Sequence, residues 1–373
     1  MLARAFAKPQ KRKNSQCGSN NAYSNGELYY HDDYSMAEWY MDEQSLVFCD
    51  KARHDEECGT VFGSHPTLRD VLRSAVAVLG ESCMGMTEKV VLVQGRIYAM
   101  KRFKTVGISK GRFGKRVERL AQVGRGSPYL APVVAYLYSK RVKVVMQEHF
   151  PMGSLADLLA EGREGCTTLD WPQRLAIIIH VALAISFIHN QHRPRIRSMQ
   201  MNVHGNIKAS NVMIRDDFSA CLSDYGFTQL AIPDCLQQIN SPNPNYHAKM
   251  PSPPKDHPTY VTKCNHTEKA SQKKDVYDFG ALVLDMLGGP RAPGMVHCIR
   301  TNKEGIENGK LEFFEFATNV KERNEALVVL DTALACVDEL AAERPSMNRI
   351  LSLDVFRKYT ACLHQSTLYS AHN

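Results

Sequence analysis

The stretch VHGNIKASNVMI (Val203–Ile214), followed by LSDYGF (Leu222–Phe227), decides how the chain is read. It sets His204, Asn206, Lys208 and Asn211 among apolar residues and places Asp224 two residues before Gly226. Taken singly, Asn211 and Asp224 read as turn or capping residues, because short polar side chains bond to their own neighbouring backbone. Their meaning depends on what stands on either side.

Upstream the texture is that of strands. EKVVLV (Glu88–Val93), RIYAMKRF (Arg96–Phe103), YLAPVVAYLYS (Tyr129–Ser139) and VKVVMQEHF (Val142–Phe150) are short, rich in Val, Ile and Tyr, and separated by glycine or charged turns. One helix is predicted among them, over Ile108–Val123, weakened by Gly111 and Gly114 at roughly 1 kcal/mol each against alanine. Ahead of these strands, SLVFCD (Ser45–Asp50) reads as an isolated strand. HPTLRDVLRSAVAVLG (His65–Gly80) carries Leu68, Val71, Leu72 and Val76 at helical spacing and predicts a short helix.

Beyond Gly153 the pattern turns helical. Asp170 is an N-cap with Pro172 in the first turn, and Leu175, Ile178, Ala182, Ile185 and Ile188 follow on one face. A second helix begins near Asp275, carries Val276, Phe279, Leu282, Val283 and Met286, and stops at Gly288-Gly289-Pro290. A third is predicted over about Glu325–Leu340. Strands first and helices afterwards describe an α+β protein of two lobes. The expected divisions are a flexible basic and polar arm at 1–45, a small β-rich lobe with its lead-in at 46–150, a larger helical lobe at 151–361 and a tail at 362–373. Ile232–Thr259, rich in Pro, Asn and Ser, is expected to be a long mobile loop.

Composition agrees with a globular chain. Of 373 residues 44% are hydrophobic and 23% charged, enough for a sizeable core and too apolar for general disorder. Eleven scattered cysteines without a C-x-x-C pair argue against a disulfide framework or a zinc site and for a reducing compartment. No apolar run is long enough for a membrane span. The net charge of +7 is mild and favours anionic partners without naming one. The opening MLARAFAKPQKRKNS leaves three readings: a solvated tail, a transit peptide around Arg4, or a contact of Lys8, Lys11, Arg12 and Lys13 with an anionic membrane surface.

In order, these segments resemble the protein-kinase domain, and specifically the plant receptor-like kinases. LGESCMGMTEKVVLVQGRIYAMKRFK looks like their glycine-rich loop and the strand bearing the nucleotide lysine. FPMGSLADLLAEG and LDWPQRLAIIIHVALAISFIHN resemble the stretch after the hinge and the helix that leads to the catalytic loop. VHGNIKASNVMI and LSDYGF resemble that loop and the metal-binding turn; SQKKDVYDFGALVLDMLGG and ALACVDELAAERPSMNRI resemble the core and closing helices of the large lobe. The resemblance runs from about Leu46 to Leu351. It implies a nucleotide cleft of Gly80, Ser82, Gly85, Ala99, Lys101, Glu148, Asn211 and Asp224, with Asn211 and Asp224 as ligands for Mg if the metal binds. Lys208 matches the lysine of the catalytic loop. His204, Tyr225, Gly226, Asp275 and Arg344 match residues that support the scaffold.

Several positions depart from that pattern. Asn206 stands at the catalytic-base position, where an amide cannot accept a hydroxyl proton; such groups are typically worth about 10² to 10⁴ in rate. Gly205 replaces the preceding arginine, which removes one means of reading a phosphorylated activation loop. Ser82 fills the middle glycine of the nucleotide loop and obstructs close backbone approach. Aligning Phe113 with the family's helix puts Arg116, not a glutamate, opposite Lys101, while Glu118 lies on another face. Lys263 stands near the glutamate of the activation segment, which leaves Arg344 without that partner. Ser241-Pro242 and Ser252-Pro253 read as ordinary loop serines ahead of phosphorylation sites.

SLVFCD and the helix after it look like the juxtamembrane start of leucine-rich-repeat receptor kinases, several of which are described as inactive. The chain contains neither their span nor their repeats, which leaves open a cytoplasmic relative or a product truncated relative to its origin. The expectation is a catalytically impaired kinase-like domain, a pseudokinase, that acts as a scaffold or allosteric partner for active kinases or receptor complexes. It would lie in the cytoplasm or at the inner face of the plasma membrane, with ATP and Mg as candidate ligands and no role for nucleic acid. The alternatives are a weakly active serine/threonine kinase using Lys101, Asn211 and Asp224, and a basic peripheral membrane module.

Overall fold

The structure is a computed structural model that describes residues 44–50, 66–92, 95–166, 168–191, 199–231 and 270–361. The arm over 1–43, the expected loop over 232–259, Lys263 and the tail from 362 lie outside the described residues.

Six antiparallel strands build the small lobe in the order β1-β5-β6-β4-β3-β2: β1 (Val47–Phe48), β2 (Ala75–Ser82), β3 (Gly85–Val91), β4 (Ile97–Phe103), β5 (Val133–Tyr138) and β6 (Lys143–Glu148). The SLVFCD strand is not isolated, since Val47 and Phe48 pair with Tyr136 and Ala135 at the sheet edge. A second difference is local. The helix expected from Leu68 stops at Arg73 (α1, Leu68–Arg73), and Val76 belongs to β2. Thr67 and Asp70 form a reciprocal capping box that starts α1, and Leu68 and Val71 bury beneath it. The alternation of Val76 and Val78 then takes over; both are exposed on the outermost strand.

Helix α2 (Lys110–Gly124) lies across the sheet and buries Phe113, Val117 and Leu120. Gly114 lets it approach closely, because a Cβ there would sit 2.6 Å from the Tyr136 hydroxyl.

The large lobe is helical: α3 (Leu155–Arg163), α4 (Trp171–His189), α5 (Gln272–Gly288), α6 (Val296–Thr301), α7 (Lys303–Glu307), α8 (Val320–Cys336) and α9 (Met347–Leu351). Capping boxes start α3, α4 and α8 at Ser154, Asp170 and Asn319. Helix α8 therefore begins and ends earlier than expected. Helix α4 is not one-faced. Ala176, Ile177, Ile179, Val181 and Ala184 are buried together with the predicted stripe. It is long and apolar enough to cross a membrane, in contrast to the sequence reading, but 72% of its most apolar window is buried inside the protein. A helix apolar on all sides is what the centre of a large lobe requires. The hairpin β7 (Val212–Ile214) and β8 (Ala220–Leu222) lies between the lobes, bridged to Leu130 by Leu222 and to Ser154 by Met213. The two-lobed α+β expectation holds.

Candidate functional site

Between the lobes runs a cleft of about 500 Å³. Its roof comes from β2–β4 with Leu79, Gly80, Thr87, Lys89 and Ala99; its back comes from Gln147, Glu148 and Phe150; its floor comes from Lys208, Asn211, Met213 and Asp224. The fold thus brings Gly80, Ser82, Ala99, Lys101, Glu148, Lys208, Asn211 and Asp224, residues far apart in sequence, to one cavity.

Its floor hangs on a fully buried carboxylate. Asp275, at the start of α5, accepts from the backbone N–H groups of His204 and Gly205, each at 2.8 Å, and contacts His189 Nε2 at 3.0 Å. These bonds hold the turn over His204–Asn206 in place. His204 contacts the Ser223 carbonyl through Nε2 at 2.9 Å and accepts the Asn206 N–H at Nδ1. Complete burial pushes its pKa down despite the nearby Asp275 carboxylate. Tyr225 donates to the Met201 carbonyl, and burial pushes its phenol pKa up. Gly205 has φ +79 and Gly226 φ +71, the region that disfavours a side chain; a Cβ on Gly226 would lie 2.5 Å from Leu120. Gly226 therefore lets the turn after Asp224 lie close against α2.

Lys101 and Asp224 meet each other. Lys101 Nζ lies 3.2 Å from Asp224 Oδ2, and both residues are about 6% exposed. No carboxylate of α2 takes part. Arg116 donates to the Gln229 carbonyl instead, and Glu118 points away to accept from the Tyr136 hydroxyl at 2.8 Å. Burial, with the charge of Arg112 second, lowers the Arg116 pKa. Asn211 Nδ2 donates to the Asn206 carbonyl at 2.7 Å, which ties the floor together. The Asn206 Nδ2 is buried and finds no acceptor among the described residues. The amide nitrogen can only donate a hydrogen bond, and the amide oxygen, although a hydrogen-bond acceptor, is too weak a base to take a hydroxyl proton at neutral pH.

The loop between β2 and β3, expected to cover a nucleotide, is a tight hairpin. Ser82 pairs with Gly85 across it, and the Ser82 hydroxyl donates to the Gly85 carbonyl at 3.1 Å. Gly85 answers to its own lobe: a Cβ there would stand 2.0 Å from the Arg102 carbonyl oxygen. Met84 at the tip is buried in the main core with Phe103 and Phe113 and accepts from Lys104 N–H at 3.0 Å. Arg344 lies outside this cleft. It donates to the Asp338 and Lys273 carbonyls and stacks over Tyr277 at 4.8 Å.

Sequence reasoning did not foresee the direct Lys101–Asp224 pair, the Met84 anchor, or the extra cation Lys89 in the cleft roof. The absence of a carboxylate at position 116 was the one available signal for the first. Lys89 also acts on a neighbour, for burial and then its charge lower the His149 pKa.

The model of the family described as protein tyrosine and serine/threonine kinase matches residues 99–353. The chain belongs to the protein kinase family. Two relatives from Arabidopsis thaliana, each named a probable inactive receptor kinase, are 31% identical to this kinase domain over 301 and 299 residues. Each match covers 77% of this chain and 43% of the relative, so the chain spans about two fifths of the curated relatives it matches. Among solved structures, the pseudokinase domain of BIR2, an immune regulator of the RLK/Pelle family, aligns with a TM-score of 0.64 at 22% identity, covering 89% of this chain and 94% of that one. The kinase domain of maize SIRK1, a sucrose-induced receptor kinase, bound to AMP-PNP, aligns at 0.60 with 25% identity, covering 85% and 99%. Both share the fold of this kinase domain.

Proposed function

We propose that this kinase domain is a pseudokinase: it keeps the scaffold, has lost efficient phosphoryl transfer, and works by recognising other signalling proteins. One observation carries the reading. The position of the proton acceptor holds Asn206, whose buried amide nitrogen can only donate. Phosphoryl transfer is mostly positioning and charge neutralisation. Here the lysine that would meet phosphates is spent on Asp224. Relatives named as probable inactive receptor kinases support the same reading, as does the retained Asp275 buttress. Partners are then proteins, active kinases or receptor complexes among them, met on the cytoplasmic side of the plasma membrane.

Nucleotide binding is a separable part of the proposal. A cleft of about 500 Å³ lies within the usual range for small-molecule sites, about 300–1,000 Å³. Ala99 and the Glu148 strand end would face the base, while Lys101 and Lys208 supply cations for phosphates. Asp224 and Asn211, whose hard side-chain oxygens suit Mg, would hold such an ion, which would supply charge neutralisation for the phosphates. Lys101 would have to share or release Asp224 to admit it.

The test has two arms. Purified full chain is incubated with labelled Mg-ATP and a generic protein substrate; turnover abolished by Lys101→Ala would refute the pseudokinase reading. Melting curves with and without Mg-ATP read binding, since a ligand at a hundredfold excess over its dissociation constant adds about 2.7 kcal/mol. No shift at millimolar nucleotide leaves a scaffold that works without it.

A further inference from the structure

Helix α2 carries five cations, Lys110, Arg112, Lys115, Arg116 and Arg119, against one acid, Glu118. Its spacing gathers them. Arg112, Lys115, Arg116 and Arg119 stand at i, i+3, i+4 and i+7, so they form one stripe with neighbouring Cβ atoms about 5–6 Å apart. Arg112, Lys115 and Arg119 are exposed, whereas Phe113, Val117 and Leu120 take the opposite, buried face. The one acid does not offset them, because Glu118 turns to the Tyr136 hydroxyl. Among the described residues neither Arg112 nor Lys115 has an ion pair, and Arg119 bonds only to the neutral Gln122 amide. Arg116, at the inner edge, is fastened to Gln229, which fixes the helix against the segment after the Asp224 turn.

This arrangement runs against helix stability. The first turn of α2 holds Lys110 and Arg112 and no acid, and Ser109 makes no side-chain cap bond. Cations near a helix N-terminus oppose the macrodipole. Like charges at i, i+3 and i+4 add to the cost. A surface that concentrates uncompensated charge at this expense is complementary to an anion of matching density.

We propose that the outer face of α2 is a docking surface for a phosphorylated segment of a protein partner. Two of the three exposed stripe residues are arginine, and the planar guanidinium fork engages phosphate oxygens in pairs, which an ammonium does not. A phosphoserine brings about −1.5 to −2 charges and three acceptor oxygens, dense enough to neutralise two stripe residues at once. A membrane fits less well. Peripheral helices pair a basic face with an apolar one that inserts into lipid, and every apolar side chain of α2 faces the protein core. This surface serves the proposed scaffold role, yet it does not depend on nucleotide in the cleft.

The probe is a short peptide bearing two phosphoserines separated by three residues, titrated into the full chain by fluorescence anisotropy. Its unphosphorylated and glutamate twins and phosphatidylserine-rich vesicles are run beside it. The wild-type chain binds the phosphopeptide, and Arg112→Glu/Lys115→Glu/Arg119→Glu weakens it at least about tenfold without lowering the melting temperature. Arg112→Lys/Arg119→Lys keeps the charge and loses the forks, and gives an intermediate loss. The proposal is overturned if the reversed chain binds as tightly, if either twin binds as tightly as the phosphopeptide, or if only vesicles are captured through this helix. Phosphopeptide binding that survives a failed Mg-ATP melting shift separates this surface from the cleft.

Discussion

Removing the Lys101 ammonium while leaving its partner tests the cleft reading most directly. In Lys101→Met the Asp224 carboxylate, with side-chain exposure of 9%, loses its cation. Breaking a buried pair on one side usually costs about 3–5 kcal/mol, because the remaining charge is desolvated without compensation. Asp224 lines an open cleft, so water can reach the orphaned oxygen, and the lower figure of about 2–3 kcal/mol is the better expectation. At about 2–4 °C per kcal/mol for a domain of this size, the melting temperature falls by roughly 5–10 °C. Asp224→Asn leaves the ammonium beside a neutral amide and costs about 1–2 kcal/mol. The double variant removes both charges and recovers most of the loss, giving a coupling of at least about 1.5 kcal/mol in urea unfolding. Strict additivity of the two single changes, within about 0.5 kcal/mol, would refute a direct pair and with it the claim that the lysine is already committed.

Other outcomes follow from the same geometry. Asp275→Ala orphans the buried His204 N–H and the part-buried Gly205 N–H and is expected to cost about 3–5 kcal/mol, read by urea titration; a loss below 1 kcal/mol would contradict the buttress. His180 is buried against Tyr129 with its pKa pushed down to about 4, chiefly by burial. The unfolded chain therefore binds the extra proton first, and stability falls as pH drops from about 6.5 toward 4, by up to about 3 kcal/mol. His180→Gln flattens that limb, and an unchanged slope would remove His180 as its source. Gly205→Arg forces a side chain into the left-handed region beside Thr228 and Ala270, for about 1–2 kcal/mol of destabilisation by thermal melting. Flotation with anionic vesicles, bound at low salt and released at high salt, is the expected outcome if Lys8, Lys11, Arg12 and Lys13 meet a membrane; no binding at low salt excludes it.

The sequence revealed what depends on local pattern. Alternation marked β3 to β6, and Asp170 with Pro172 marked the start of α4, because these signals sit within a few residues. Val76 misled because its spacing from Leu72 suits a helix, whereas tertiary pairing with β3 makes it a strand residue. The stripe on α4 looked one-sided only because the small and branched residues between its members are as apolar as the stripe itself. The site divides the same way. Asn206 could be read directly, since its identity alone removes a base. The Lys101–Asp224 pair could not, for it joins residues 123 positions apart, and only the packing of α2 decides which anion the lysine meets. Gly85 was placed in the nucleotide cleft by the resemblance; the nearest constraint on it is the Arg102 carbonyl of its own sheet.

Met84 has a consequence for how anything gains access. With the hairpin tip bolted into the core and Lys104 N–H holding its carbonyl, the roof of the cleft is a fixed eave rather than a hinged flap. A small molecule must slide in from the side or wait for Met84 to unseat. Binding through that open side would need no roof to close over the ligand, and none to lift for its release.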